Sequence, residues 1–198
     1  MVHISGGTGY LGSALMPLLE QRGHRTRVIP RAHVFDARVI APVLEPADTF
    51  IHLTGAPKPA PWKERQFRAI DLPSLHASAE AARQRQIAHF IYVSVAQPAP
   101  AMHAYVQVRQ EAEAFLAQNE LPRTILRPWY ILGPGHWWPY LLKPLYALAE
   151  RIPSQRESAT RLGLVTRAQM VASLLHAVEH PAPECRIVET AAIRRGGI

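Results

Sequence analysis

A glycine-rich stretch near the start of the chain constrains its fold more than any other feature of the sequence. A segment suited to a strand, Val2–Ser5, leads directly into the run Gly6, Gly7, Thr8, Gly9, Tyr10, Leu11 and Gly12. In such a turn one glycine permits a sharp exit from the strand, the next lets backbone approach a pyrophosphate, and the last lets the following helix pack closely on the sheet. The run predicts a dinucleotide-binding turn, against the alternative of a glycine turn without a ligand.

The residues after the turn support this prediction. Apolar side chains recur at the spacing i, i+3, i+4, i+7 and i+8, which places them on one face of a helix: Leu11, Ala14, Leu15, Leu18 and Leu19. Pro17 lies inside this helix and should remove one of its hydrogen bonds. Gly23 ends the helix, and residues 26–29 suit the next strand. Strand, turn, helix and strand fit into roughly thirty residues, as a βαβ unit requires.

The residues that follow the second predicted strand bear on the choice of cofactor. A site specific for NAD places an acid about 20 residues beyond the glycines, where it binds the ribose 2′-hydroxyl. This chain has Pro30 and Arg31 there, with Arg25 and Arg27 close by. Because an arginine guanidinium suits the 2′-phosphate of NADP, we expect NADP(H) to be preferred and NAD(H) to be the alternative. The other interpretation is that Arg31 only faces water at a strand end.

Composition and length favour one domain without metal or disulfide. The chain has 198 residues, of which 48% are hydrophobic, enough for one substantial core, and we predict a single domain over residues 1–198. The only cysteine, Cys185, has no partner for an internal disulfide, as in a reducing compartment. The histidines lack ligand spacing, so we expect no metal. With a strand from residue 2 and no apolar run of about 18 residues, we expect no signal peptide and a cytoplasmic protein.

The positive charge of the chain has two interpretations. The net charge is +7, from 22 lysines and arginines against 15 acidic residues. Such a charge attracts either nucleic acid or a small anionic ligand. The arginines are scattered and no nucleic-acid-binding motif is present, so we expect phosphate contacts with a small molecule rather than nucleic acid. The sequence does not indicate an oligomeric state.

Strands and helices alternate along the rest of the chain. We predict a short third strand at 33–36, then a brief helix, a helical stretch over 63–86 that Pro73 interrupts, and helices over 104–118 and 167–179. Further strands are expected at 49–55, 89–95, 124–127 and 186–189. This order is typical of an α/β protein with a doubly wound parallel sheet, the Rossmann fold, here with a small C-terminal extension.

Four segments together resemble the short-chain dehydrogenase/reductase superfamily. The likeness is to its atypical, NAD(P)-dependent epimerase/dehydratase-like branch, which includes NmrA-like sensors and complex-I accessory subunits. The matching segments are residues 6–12, 48–55, 90–94 and 126–134, and with the intervening helices they cover most of residues 1–150 in the family's order. The resemblance implies that residues 129–198 contribute the substrate side of the site.

The resemblance also implies roles for individual residues. In catalytic relatives a serine binds the substrate carbonyl, a tyrosine exchanges the proton, and a lysine four residues later binds the nicotinamide ribose. Ser94, Tyr105 and Arg109 stand at these positions. The residues expected to line the cofactor are, besides the glycine turn and Arg31, those at the carboxyl ends of strands and an acid near the adenine: Asp36, Leu53, Thr54, Gly55, Ser94 and Pro128.

Two residues depart from the family pattern. Arg109 replaces the lysine, and Asp71 replaces an asparagine of the fourth helix. An arginine keeps the positive charge that favours a tyrosine phenolate, but it sheds no proton and its planar fork reaches a ribose differently. These changes are compatible with cofactor binding and put ordinary reductase catalysis in question. Tyr105 is otherwise explained as an amphipathic residue on a helix face.

Aromatic residues concentrate after the fifth main strand. Trp129, Tyr130, Trp137 and Trp138 are followed by further tyrosines and leucines. They suit an apolar substrate wall, a peripheral membrane or partner surface, or core beneath the C-terminal helices. We therefore predict a reductase or epimerase-like oxidoreductase for an apolar carbonyl or quinone-like substrate. The alternative is a non-catalytic NADP(H)-binding sensor or assembly protein.

Overall fold

A computed structural model describes residues 1–57, 59–99, 101–134 and 161–196 of the chain. Among these residues six strands form one parallel sheet: β1 (Val2–Ser5), β2 (Thr26–Ile29), β3 (Thr49–His52), β4 (His89–Val93), β5 (Arg123–Arg127) and β8 (Cys185–Glu189). Their order across the sheet is β2-β1-β3-β4-β5-β8. A separate parallel pair is formed by β6 (Tyr130–Leu132) and β7 (Leu164–Thr166).

Helices cover both faces of the main sheet. They are α1 (Gly12–Gln21), α2 (Ala37–Ile40), α3 (Glu64–Gln66), α4 (Leu72–Gln84), α5 (His103–Gln118), α6 (Arg167–Glu179) and α7 (Thr190–Arg194), with short 3-10 turns at Ala41–Val43 and Pro61–Lys63. One hydrophobic cluster packs α4 and α5 on the sheet, and a second packs α1 and α6 on the opposite face. Because both faces are covered, β1, β3 and nearly all of β4 are buried, as the apolar strand sequences predict. The doubly wound parallel sheet is confirmed.

The register of the sheet brings three strand ends together. Ser5 at the end of β1 pairs with His52 at the end of β3, and His52 pairs with Tyr92 of β4. The segments that leave these ends are the glycine turn, residues 53–57 and residues 94–99. Ligands of open parallel sheets bind beyond the carboxyl ends of the strands, so the fold itself directs attention to this edge.

Two predictions for the region between β2 and α4 need correction. No strand forms at residues 33–36: residues 33–35 are in a turn, and Asp36 is the N-cap of α2, where its side chain accepts the backbone N–H of Arg38. The helical stretch over 63–86 is also not a single helix that Pro73 interrupts. A π-helical segment, Phe67–Asp71, joins α3 to α4 without a break in the helical backbone, and Pro73 is the second residue of α4.

Other elements agree with the sequence or were missed. The helices expected over 104–118 and 167–179 correspond to α5 and α6, and α1 continues through Pro17. The pair β6 and β7 and the short α7 were not predicted. The described part of the chain includes no helix that is long and apolar enough to span a membrane.

Candidate active site

The glycine turn is packed so closely that side chains are excluded at two of its positions. Gly6 has a φ of +74°, and a Cβ there would lie 2.8 Å from the carbonyl carbon and oxygen of Leu53. A Cβ on Gly12 would lie 2.4 Å from the carbonyl oxygen of Gly7. The N–H of Gly9 donates to the Gly6 oxygen at 2.9 Å and closes the turn. The start of α1 is thus pulled directly against the end of β1.

The start of α1 retains hydrogen-bond donors for an anion. Leu11 occupies the N-cap position, and no side chain caps the helix there. The N–H groups of Ser13 and Ala14 donate to the carbonyls of Gly9 and Leu11 at 3.0 and 3.1 Å, whereas among the described residues those of Leu11 and Gly12 have no backbone acceptor. The helix dipole adds positive potential at this end. The close backbone packing and the uncapped helix start fit a dinucleotide pyrophosphate, as expected from the sequence.

The residues expected around the adenosine part lie beside β2. Arg31 is exposed in the turn that follows β2. Asp36 caps α2, and its carboxylate also accepts the Nε–H of Arg38 at 3.1 Å. This pairing lowers the pKa of Asp36 below its ordinary value, chiefly through the hydrogen bonds from Arg38. The structure therefore gives Asp36 a local role in starting the helix, and its predicted contact with adenine stays a prediction.

The segment after β3 connects the glycine turn to the catalytic candidates. Leu53 and Thr54 lie against Gly6, within 3.0 Å of the position its Cβ would take. The next residue, Gly55, faces the other side: its Cβ would lie 2.8 Å from Asp71 Oδ1 and 3.0 Å from Arg109 Nη2. The absence of a side chain at residue 55 therefore lets Asp71 and Arg109 approach the carboxyl end of β3.

Arg109 is held inside the protein by several acceptors. Its Nη1 donates to the Tyr92 hydroxyl at 2.9 Å and to the Val93 carbonyl at 3.0 Å. Its Nη2 lies 3.8 Å from Asp71, whose carboxylate also accepts the Ala56 N–H at 2.7 Å. Burial raises the pKa of Asp71, and Arg109 and the Ala56 hydrogen bond offset part of that rise. Only 6% of Arg109 is exposed, so its charge acts on its neighbours with little screening by water.

Tyr105 lies directly above this cation. The guanidinium carbon of Arg109 is 4.9 Å from the centre of the Tyr105 ring, and the Phe67 ring packs edge-on at 4.9 Å. Burial raises the pKa of the Tyr105 hydroxyl, although Arg109 pulls it in the opposite direction. Arg109 was expected to favour a phenolate. Arg109 does lower the pKa of Tyr105, as expected, but burial has the larger effect and the pKa is raised overall.

Ser94 contacts a different part of α5. It is buried at the end of β4, and its hydroxyl donates to Glu113, which also accepts Gln97 Nε2 at 2.8 Å. Arg127 forms an ion pair with the same carboxylate. Glu113 was not predicted as part of the site. The available signal was its spacing, since residues 105, 109 and 113 fall on one face of α5 at intervals of four.

The remaining predicted residues lie further along the same edge. Pro128 is buried, and its carbonyl accepts the Ala96 N–H at 2.9 Å. Trp129 and Tyr130 are half-buried at the start of β6. Trp137 and Trp138 lie outside the described residues. Within the described ranges no group of three or more potential metal ligands is found.

A parallel sheet, a glycine turn at its carboxyl edge and a half-buried tyrosine on a buried arginine beside it define a Rossmann-type fold with a candidate dinucleotide site. A solved short-chain dehydrogenase/reductase superfamily protein of Agrobacterium tumefaciens, with bound NAD, superposes with a TM-score of 0.68 at 15% identity and covers 98% of this chain and 81% of its own. The human epimerase family protein SDR39U1 with NADPH gives 0.64 at 18% identity, covering 90% and 70%. These likenesses establish that the chain has the fold of this superfamily's structures.

Sequence comparison adds one curated relative. A ceramide reductase of Caulobacter vibrioides is 26% identical over 214 aligned residues. The alignment covers 100% of this chain and 66% of the relative, so the chain spans just under two thirds of its relative's length. No protein-family model matches the chain.

Proposed function

We propose that the protein is an atypical short-chain reductase that binds NADP(H) and reduces an apolar carbonyl compound. The observation that carries this proposal is the position of Tyr105, whose ring centre lies 4.9 Å from the guanidinium carbon of Arg109 near the carboxyl edge of the sheet. A carbonyl oxygen that receives a hydride on its carbon requires a proton, and a tyrosine hydroxyl beside a fixed cation suits its delivery because the cation stabilises the phenolate that is left.

The proton step follows from the contacts of Tyr105. A dinucleotide held by the glycine turn would supply a hydride to the carbonyl carbon. Tyr105 gives its proton to the carbonyl oxygen, which becomes a hydroxyl, and the tyrosine is left as a phenolate. The guanidinium of Arg109, 4.9 Å from the ring centre, stabilises that phenolate in a medium of low dielectric constant. Solvent must return the proton, since Arg109 stays protonated.

Ser94 takes part only after a rearrangement. A serine hydroxyl has one proton, and here that proton is donated to Glu113. To bind a substrate carbonyl, the hydroxyl must rotate away from Glu113. Gln97 and Arg127 keep that carboxylate hydrogen-bonded after Ser94 leaves, so the rotation does not strand a buried charge.

The preference for NADP(H) rests on the residues after β2. In place of an acid at the end of β2 the chain has Pro30, followed by the exposed Arg31. A guanidinium at this place suits a 2′-phosphate, with which it forms two parallel hydrogen bonds. Neither position 30 nor position 31 is an acid, so neither side chain accepts a hydrogen bond from a ribose 2′-hydroxyl. Relatives in fold bind either nucleotide, NAD in the Agrobacterium protein and NADPH in the human one.

The substrate class rests on the curated relative and on the residues after β5. The relative's name states a reduction and a lipid, which agrees with an apolar carbonyl substrate rather than a nucleotide sugar. Trp129 and Tyr130 offer half-buried aromatic surface at the start of the C-terminal part, residues 129–198. We assign the substrate side of the site to that part of a single domain.

Tyr105→Phe tests the proposal. The variant retains the ring that packs on Phe67 and Arg109, so the cofactor affinity and the melting temperature should stay within error of the unmodified protein. Turnover of a long-chain ketone with NADPH, followed by absorbance at the nicotinamide band, should fall by roughly a hundredfold or more, as for loss of a general acid. Unchanged turnover would remove Tyr105 from the mechanism.

A second candidate function is favoured by the contacts of Ser94 and Arg109. Both side chains are engaged within the protein, Ser94 by Glu113 and Arg109 by Tyr92, Val93 and Asp71. Such a site suits a sensor or assembly protein that binds NADP(H) without chemistry. In that case the unmodified protein binds NADPH but shows no turnover with long-chain ketones or with UDP-glucose, and Tyr105→Phe changes nothing.

A further inference from the structure

Arg167 reaches the glycine turn from the C-terminal part of the chain. It is the first residue of α6, yet its guanidinium carbon lies 4.7 Å from the centre of the Tyr10 ring. Its Nη2 donates to the Ser13 hydroxyl at 2.9 Å. Tyr10 belongs to the glycine turn and Ser13 to the first turn of α1, so the guanidinium lies beside the start of that helix.

The local structure fixes Arg167 in this position. Thr166 caps α6 in a reciprocal arrangement with Gln169: the Gln169 N–H donates to the Thr166 hydroxyl oxygen at 3.2 Å, and the Thr166 N–H donates to the Gln169 side chain at 2.9 Å. Gly133 leaves the necessary space. A Cβ on Gly133 would lie 2.0 Å from the Tyr10 hydroxyl oxygen and 3.2 Å from the Arg167 Cβ.

The charge at this place is not balanced by the described residues. The Arg167 guanidinium contacts the Ser13 hydroxyl and the Tyr10 ring, which carry no negative charge, and its buried Nε–H has no hydrogen-bond acceptor among the described residues. The starts of α1 and α6 also meet here, and each carries the positive end of a helix dipole. A guanidinium between two positive helix ends is repelled by both unless an anion lies between them.

We propose that Arg167, which reaches the glycine turn from the first turn of α6, binds the pyrophosphate of the dinucleotide. This inference rests on the proposed function, because it assigns a further ligand to the same cofactor. The planar fork of arginine contacts two phosphate oxygens at once. Stacking on Tyr10 and the hydrogen bond to Ser13 hold the fork at the turn before the ligand arrives, which lowers the entropy cost of binding.

Two nucleotide probes test this role in the full chain. ADP-ribose contains the pyrophosphate, whereas adenosine contains neither phosphate. Arg167→Gln should weaken the binding of ADP-ribose by roughly ten- to a hundredfold, the range of a lost charge-assisted hydrogen bond, and leave adenosine unchanged. Arg167→Lys should give a smaller loss, since it keeps the charge but not the fork. Both affinities are measured by calorimetry or by displacement of NADPH fluorescence.

A matched control separates this contact from general electrostatics. Arg22→Gln removes one charge from the other end of α1, where Arg22 forms an exposed ion pair with Glu179 at 3.0 Å, and should leave both affinities unchanged. An unchanged affinity of Arg167→Gln for ADP-ribose, or an equal loss for adenosine, would overturn the inference. If the unmodified protein bound neither NADPH nor ADP-ribose, the proposed function would fail, and this inference would fail with it.

Discussion

Gly12→Ala is the sharpest test of the glycine turn. The added methyl group would lie 2.4 Å from the Gly7 carbonyl oxygen, 2.5 Å from the Gly7 Cα and 2.6 Å from the Gly6 carbonyl oxygen. All three atoms are backbone, so the turn itself must move. Overpacking of this kind costs about 1–3 kcal/mol, and the higher helix propensity of alanine returns up to about 1 kcal/mol. We expect a net loss of about 1–2 kcal/mol in the free energy of unfolding.

The same displacement moves the N–H groups that are expected to meet the pyrophosphate. Misplacement of backbone donors should weaken NADPH binding by at least about tenfold, equivalent to about 1.4 kcal/mol. Urea denaturation gives the stability of the apoprotein, and a fluorescence titration gives the affinity for NADPH. Together the two measurements separate damage to the fold from damage to the site.

Gly23→Ala is the matched control. Gly23 follows α1, has a φ of +82°, and its Cβ would meet nothing within 4 Å. The left-handed conformation alone should cost alanine about 1–2 kcal/mol, similar to the net loss at Gly12, but the affinity for NADPH should not change. If Gly12→Ala bound NADPH as tightly as the unmodified protein, or if Gly23→Ala lost affinity equally, the reasoning about the turn would be refuted.

Two further predictions concern packing and pH. Gly133→Ala should destabilise the protein by about 1–3 kcal/mol, because the new methyl group would overlap the Tyr10 hydroxyl. The loss should be smaller in a Tyr10→Phe background, where the nearest remaining atoms are 3.2 Å from the Cβ position. If urea denaturation showed the two losses to be additive, the contact would be contradicted. Burial lowers the pKa of His52 to about 3. The folded protein keeps this imidazole neutral while the unfolded chain binds a proton below about pH 6.5, so stability should fall by about 2 kcal/mol between pH 7 and 5 on its account. His52→Gln should remove that part of the loss in the free energy of unfolding, whereas substitution of the exposed His33 should not. If the stability of His52→Gln depended on pH as that of the unmodified protein does, His52 would not be the cause.

The sequence predicted most of the fold because its strongest signals are local. The glycine spacing, the apolar face of α1 and the apolar strands β3 and β4 each depend on neighbouring residues, and the structure confirms them. The error at residues 33–36 has a physical cause, since four residues of mixed polarity fit a strand or a turn equally well. The Asp36 side chain decides between them by capping α2.

The contacts of the candidate site were less accessible from sequence. Spacing placed Tyr105 and Arg109 on one helix face, and the structure agrees. Spacing could not show that Ser94 donates to Glu113, because the two residues lie on different elements. Glu113 also has other partners, Gln97 and Arg127, between which the sequence does not choose. The direction of the Tyr105 pKa was also beyond reach, since it depends on how far burial outweighs the nearby cation.

The charges of Asp71 and Arg109 compensate each other in the structure. An arginine at residue 109 brings a permanent charge to a position that is 6% exposed, and a buried cation without a counter-charge is destabilised by several kcal/mol. The carboxylate of Asp71, 3.8 Å away, supplies the negative charge that an asparagine would lack. Gly55 leaves the space in which the two side chains meet. Removal of Asp71 alone would therefore leave the Arg109 cation buried without a carboxylate beside it, and we expect Asp71→Asn to destabilise the protein more than the exchange of an exposed aspartate would.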